Sequence, residues 1–190
     1  MVRRLFLALA LVALCIPAFA AELAPGAKAP EFKGLPGTDG KEYSLGQMKD
    51  AKAVVVCFTC NQCPVSVAYE DRFVEFNKKY ADKAVKFIAI NSNKNTEDLA
   101  AMKTRAEEKG FNFPYVYDES GKLAAEYGAR VTPHMFVLDA ERNVVYVGSF
   151  DDKQNGPTKE YVADAVDAVL AGKKVETAQT KAFGCGIQNK

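Results

Sequence analysis

Between Ala53 and Tyr80 the hydrophobic pattern changes from continuous to helical, and three cysteines stand where it changes. "AVVVCFT", Ala53 to Thr59, is a β-branched apolar run that suits a central strand buried on both faces. Val65, Tyr69, Phe73, Phe76 and Tyr80 then recur at steps of four, four, three and four, which makes one apolar stripe of a helix. Pro64 fits the first turn of that helix, where its missing N–H costs nothing. A buried strand feeding directly into a helix leaves few folds open. It predicts an α/β sheet, and such sheets place their ligands at the carboxyl ends of strands.

The rest of the chain agrees. "TDGKEYSL" reads as a tight turn at Asp39-Gly40 leading into a short hairpin. "AVKFIAINS" and "FPYVYD" are further strands. Asn95 or Thr96 is expected to cap a helix running through Lys109 and closed by Gly110. A short helix follows over Gly121 to Tyr127. "HMFVLD" and "NVVYVGSF", joined by "AER", form a hairpin, and a last helix begins at Thr158 and ends at Gly172. Early strand–helix alternation implies parallel crossovers, and the late hairpin makes the sheet mixed.

The N-terminal stretch "MVRRLFLALALVALCIPAFAAE" has two arginines, an apolar run, and small residues at Ala18 and Ala20. It reads as a secretory signal over residues 1–20, cut after Ala20. The apolar run is shorter than the about 20 residues needed to span a bilayer, so no membrane anchor is expected once it is cut. Leu14 stands before Cys15 where a lipoprotein would have a small residue. The expected location is therefore the periplasm or the exterior. Losing Arg3 and Arg4 takes the formal net charge from +1 to about −1, which offers nothing to nucleic acid. The domain is expected over residues 21–172, with a tail over 173–190 that carries Cys185.

Export makes the remaining thiols chemically informative, because paired thiols tend to oxidise outside the cytosol. Cys60 and Cys63 form a C-x-x-C at a helix start. Both sulfurs fall on one turn and can close a small disulfide ring. A helix N-terminus favours negative charge. Lowering a thiol pKa from 8.5 to about 7 takes roughly 2 kcal/mol of differential stabilisation. Cys60 is expected to attack and Cys63 to resolve the mixed disulfide. Cys57, inside the strand, reads as a buried inert thiol with a redox role as the alternative. Cys185, between two glycines in "FGCGIQ", is expected on a mobile tail, as a third redox thiol, as a partner of Cys57, or free. Thr132-Pro133 stands just before a strand, so it is a candidate for a cis peptide bond. Thr132's backbone would then be free to pair with an incoming peptide.

A metal site is the competing reading of "CFTCNQC", with Cys185 or His134 as fourth ligand. It would need Cys57 to point out of a packed sheet, so no metal is expected. The chain has no G-x-x-x-x-G-K-[ST], G-x-G-x-x-G or H-E-x-x-H. No cofactor is expected, and electrons must come from a thiol protein or a small thiol.

"APEF", "VVVCFTCNQCPVSVAYEDRF", "YDESGKLAAEYGARVTPHMFVLD" and "KAFGCGIQ" together resemble the redoxin group of the thioredoxin fold. That group is the alkyl hydroperoxide reductase/thiol-specific antioxidant family, here in its exported peroxiredoxin-like branch. The resemblance implies a thioredoxin-like central mixed sheet flanked by helices, with an N-terminal hairpin and a strand–helix insertion over about Phe113 to Tyr127. It matches Cys60 and Cys63 to the redox pair and Pro133 to the cis-proline facing it. The implied activity is thiol–disulfide exchange, with thiol peroxidase as the alternative and a disulfide or a peroxide as substrate. The chain departs from thioredoxin at Thr59, where that fold has Trp, and at Asn61-Gln62 between the cysteines. Laying Cys63 on the peroxidatic position of Pro-x-x-x-Thr-x-x-Cys puts Cys60 in place of the Thr and Val56 in place of the Pro. Arg130 reads as a solvated side chain rather than a thiolate partner.

Overall fold

A computed structural model describes residues 21–188. The signal expected over residues 1–20 lies outside the described residues. A short antiparallel hairpin of β1 (Leu35–Pro36) and β2 (Glu42–Tyr43) leads to β3 (Ala53–Phe58). Helix α1 (Pro64–Tyr80), β4 (Val85–Asn91), α2 (Leu99–Glu108), β5 (Tyr115–Tyr117) and α3 (Lys122–Tyr127) follow. Then come β6 (Val131–Thr132), β7 (His134–Leu138), β8 (Val144–Gly148), α4 (Tyr161–Leu170) and β9 (Cys185–Gly186). The main sheet has the order β5-β4-β3-β7-β8. Strand β3 runs parallel to β4 and antiparallel to β7, so the sheet is mixed and its central strand is the one that ends at the cysteines.

Every residue of β3 is buried. Its alternate side chains divide between two cores, as period-two geometry requires. Ala53, Val55 and Cys57 join the cluster built by Tyr69, Phe73, Phe76 and Tyr80 of α1 and Val162, Ala165 and Val166 of α4. Val54, Val56 and Phe58 join the opposite cluster, built by Leu123, Ala124 and Tyr127 of α3 with Phe32, Leu45 and Met48. Helices thus cover both faces. Buried Glu70 of α1 pairs with Arg105 of α2 through two hydrogen bonds, 2.8 and 2.7 Å.

Two helix starts differ from expectation. Helix α2 is capped by Asp98, whose Oδ1 accepts the Ala101 N–H at 2.8 Å. Residues 93–97 instead make a turn in which the Thr96 and Glu97 N–H groups both donate to the Asn93 carbonyl. Helix α4 begins at Tyr161 rather than Thr158, because Asp152 holds the Thr158 backbone and hydroxyl at 2.8 and 2.6 Å. The N-terminal hairpin bonds the outer edge of β5, Thr38 N–H donating to the Tyr115 carbonyl at 2.9 Å. No helix among the described residues is long and apolar enough to cross a membrane.

Candidate active site

The sheet delivers three segments to one place: the end of β3, the start of α1, and the β6–β7 junction. Cys63 is the N-cap of α1 and Pro64 its first residue. The Thr132-Pro133 bond is cis. Thr132 links both sulfurs. Its hydroxyl lies 3.2 Å from Cys60 Sγ, and its carbonyl accepts from the Cys63 thiol at 3.1 Å. The structure therefore brings Cys60, Cys63, Thr132 and Pro133 together. Cys57 stays apart, fully buried in the α1–α4 core, with burial first and then nearby Cys60 pushing its thiol well above the ordinary range.

The fourth cysteine does not hang on a mobile tail. Strand β9 pairs antiparallel with β6, Thr132 opposite Cys185 and Val131 opposite Gly186. The Cys185 N–H donates to Cys63 Sγ at 3.4 Å, and the Cys185 side chain beside that sulfur helps to hold its pKa down. Gly184 has φ +150° and lies so close to Thr132 that a Cβ would collide with its carbonyl oxygen. Gly184, which suggests mobility in the sequence, instead allows close backbone approach. On either side the tail is fastened by Phe183 against the α1 aromatic Tyr69, by Ile187 N–H on the Arg130 carbonyl (3.0 Å), and by Gln188 N–H on Asn93 Oδ1 (2.6 Å).

The tail adds to what favours a thiolate at Cys63. Burial works against a Cys63 thiolate, but hydrogen bonds from the Cys185 thiol, the Ser66 N–H, the Thr132 side chain and the Cys185 N–H outweigh it and bring the pKa down to about 7. Burial pushes Cys60 up to about 11, with the Glu97 charge adding to the rise against the Thr132 hydrogen bond. The sequence points to Cys60 as the attacking thiol; hydrogen bonding at the helix N-cap instead favours a thiolate at Cys63, and burial opposes one at Cys60.

Glu97 is the functional residue that the sequence does not announce. It is 6% exposed. Its carboxylate takes the Asn61 N–H at 2.8 Å, the Gln62 N–H at 3.2 Å and Asn91 Nδ2 at 2.7 Å. It grips the two residues between the cysteines from beneath. Tyr115 donates to Asn61 Oδ1 at 2.9 Å and Gln62 Nε2 to the Thr96 carbonyl at 2.8 Å, which fixes the same loop from its side chains. Glu97 looks in the sequence like an ordinary acid before a helix. Only the turn at 93–97 carries it under the loop.

His134 is buried and neutral. Its Nε2 lies 3.3 Å from Glu22 Oε2 without hydrogen-bond geometry, and burial, then Arg130, brings its pKa down to about 4. Arg130 itself is exposed. Among the described residues no group of three or more His, Cys, Asp or Glu could hold a metal ion.

A family model described as Redoxin matches residues 24–166. No curated protein matches the chain. Among solved structures, a hypothetical protein, SMc02350 from Sinorhizobium meliloti 1021, is 36% identical with a TM-score of 0.82, over 89% of this chain and 96% of that one. A putative thiol:disulfide interchange protein DsbE from Chlorobium tepidum is 21% identical with a TM-score of 0.67, over 78% of this chain and 99% of that one. Peroxidoxin BcpB from Mycobacterium tuberculosis is 21% identical with a TM-score of 0.61, over 79% of this chain and 96% of that one. At that identity the last two speak for the fold.

Proposed function

Since the chain belongs to the redoxin family and is an oxidoreductase of thioredoxin-like fold, we propose that it is an exported thiol–disulfide oxidoreductase whose exchanging pair is Cys60 and Cys63. One observation carries the reading: a single residue, Thr132, touches both sulfurs, at 3.2 and 3.1 Å, so the two thiols converge at a helix N-terminus. The Cys63 thiolate attacks a substrate disulfide, bonds one of its sulfurs and expels the other as a thiolate. A second protein thiol then attacks Cys63 Sγ and releases the remaining substrate sulfur. Two electrons and two protons pass to the substrate, and an external thiol protein or small thiol returns them. Thr132 and Pro133 back the two sulfurs, and Cys57 packs the core. Export rests on the leader sequence of residues 1–20, and it would place this chemistry in the periplasm or outside the cell.

The test is titration of a Cys185→Ser chain with oxidised glutathione, followed by trypsin. Cleavage leaves Cys57, Cys60 and Cys63 in one peptide, residues 53–72. A Cys60–Cys63 disulfide in that peptide, lost in Cys63→Ser, is expected; an unoxidised pair at every potential would refute the assignment. A second reading, thiol peroxidase, rests on the same Cys63 thiolate, which would become a sulfenic acid as a peroxide leaves as an alcohol. Peroxide consumption abolished by Cys63→Ser would favour it.

A further inference from the structure

The pair is closed in. Cys60 and Cys63 are 3% and 2% exposed, while Cys185, lying on Cys63, is the thiol of the three that reaches the surface. Strand β9 occupies the backbone edge of Thr132 that an extended substrate would need. Any substrate that reaches Cys63 must therefore displace β9, and the strand must return afterwards, because Phe183, Ile187 and Gln188 all have fixed seats beside the site. On its return, β9 brings a thiol back to the sulfur that has just reacted.

We infer that Cys185 is the thiol that resolves intermediates on Cys63, leaving a Cys63–Cys185 disulfide that joins the C-terminal strand to the start of α1. This rests on the exchange reading of the site, in which Cys63 attacks, and puts Cys185 ahead of Cys60 as the first thiol to resolve the intermediate. In the mixed disulfide, Cys63 Sγ is bonded to a substrate sulfur. Cys185 loses its proton, its thiolate attacks Cys63 Sγ, the bond to the substrate sulfur breaks, and that sulfur leaves as a thiolate and takes up the proton. The substrate disulfide has gained two electrons, and Cys63 and Cys185 have lost them. A dithiol donor closes the cycle by attacking the more accessible Cys185 Sγ. Cys63 leaves, and the donor's second thiol frees Cys185 and oxidises the donor to a disulfide. Cys60 is the poorer resolver. Burial holds it protonated, whereas the hydrogen bond to Cys63 that raises Cys185 disappears once Cys63 is in a disulfide.

Full-length wild-type chain is mixed with oxidised glutathione, quenched with maleimide at intervals and digested with trypsin. Cys185 falls in residues 182–190 and Cys63 in residues 53–72. The expected product is the cross-linked pair of peptides, with Cys57 and Cys60 carrying maleimide. In Cys185→Ser, glutathione should persist on Cys63 severalfold longer. In Gly184→Ala, which keeps Cys185 but cannot seat β9, the cross-link yield should fall severalfold. A wild-type chain that forms only the Cys60–Cys63 disulfide, with Cys185 alkylated throughout, overturns the inference and leaves the exchange reading standing. A chain in which neither wild type nor Cys185→Ser ever carries glutathione or a disulfide in residues 53–72 overturns both.

Discussion

Replacing Glu97 with Gln tests whether one buried acid sets the geometry of the cysteine loop. The carboxylate serves three donors with two oxygens, Asn61 N–H and Asn91 Nδ2 on one and Gln62 N–H on the other. An amide offers one oxygen. If that oxygen keeps the first two donors, its NH2 group faces the Gln62 N–H, and a backbone donor loses its acceptor. A hydrogen bond to a charged group contributes about 1.5–3 kcal/mol, and the two that survive lose their ionic component. A loss of about 2–3 kcal/mol is expected. At about 2–4 °C per kcal/mol for a chain of this size, the melting temperature should fall by about 4–12 °C. The same change has a second, independent sign. Glu97's charge helps hold the Cys60 thiol up, so removing it should move the pH profile of Cys60 alkylation to lower pH, although burial keeps it above an ordinary thiol. Thermal melts give the first quantity and maleimide rates against pH, in a Cys63→Ser background, give the second. A melting temperature within about 1 °C of wild type, together with an unmoved profile, would show that the carboxylate neither grips the loop nor acts on the sulfur.

Four further outcomes follow from the cysteine site and from the ion pair between α1 and α2. Cys63 alkylation should rise as pH increases through about 7 and be slow at pH values well below that, since its folded pKa is depressed and the thiolate is the reactive form. In Cys185→Ala that profile should shift upward towards an ordinary thiol, because the side-chain donor from the tail is gone. Arg105→Met should destabilise the fold by about 3 kcal/mol in urea melts, since it strands the Glu70 carboxylate, 4% exposed, with only Lys109 at 3.8 Å; Glu70→Gln added to it should recover part of the loss. Gly184→Ala should unseat β9 and so accelerate iodoacetamide labelling of Cys63 severalfold above about pH 9.5, where the thiol is ionised with or without the tail, and should lower the melting temperature, since Phe183 and Ile187 pack against the two cores.

The fold was legible because its signals are local. β3 shows as an unbroken β-branched run, α1 as a stripe of aromatics at helical steps, and the β7–β8 hairpin as two apolar strands around "AER". The convergence of Cys60, Cys63, Thr132 and Pro133 could be anticipated from the spacing of the cysteines and the place of the proline. What escaped depends on contacts between distant residues. A two-residue strand, Cys185–Gly186, has no period to read, so β9 and its seat on Thr132 appear only when residues 132 and 185 are brought together. Hydrogen bonds from that seat add to what favours a thiolate at Cys63, and C-x-x-C alone does not reveal them. Glu97 is hidden for the same reason: its partners at 61 and 62 lie across the top of the sheet. The helix starts at Asp98 and Tyr161 moved because Asn93 and Asp152 claim the residues that seemed to be caps.

A strand tethered to the domain it covers is a competitor that dilution cannot remove. Short flexible connections hold a segment near its seat at an effective concentration on the order of millimolar. A ligand that binds Thr132's edge only by non-covalent contacts meets that competition at every encounter, and its apparent affinity falls in proportion to the fraction of time the edge stands vacant. A disulfide-bearing molecule escapes the handicap, since one fleeting vacancy is enough for sulfur to capture sulfur. The resident strand thereby acts as a filter, discriminating by reactivity where a bare groove would discriminate by fit.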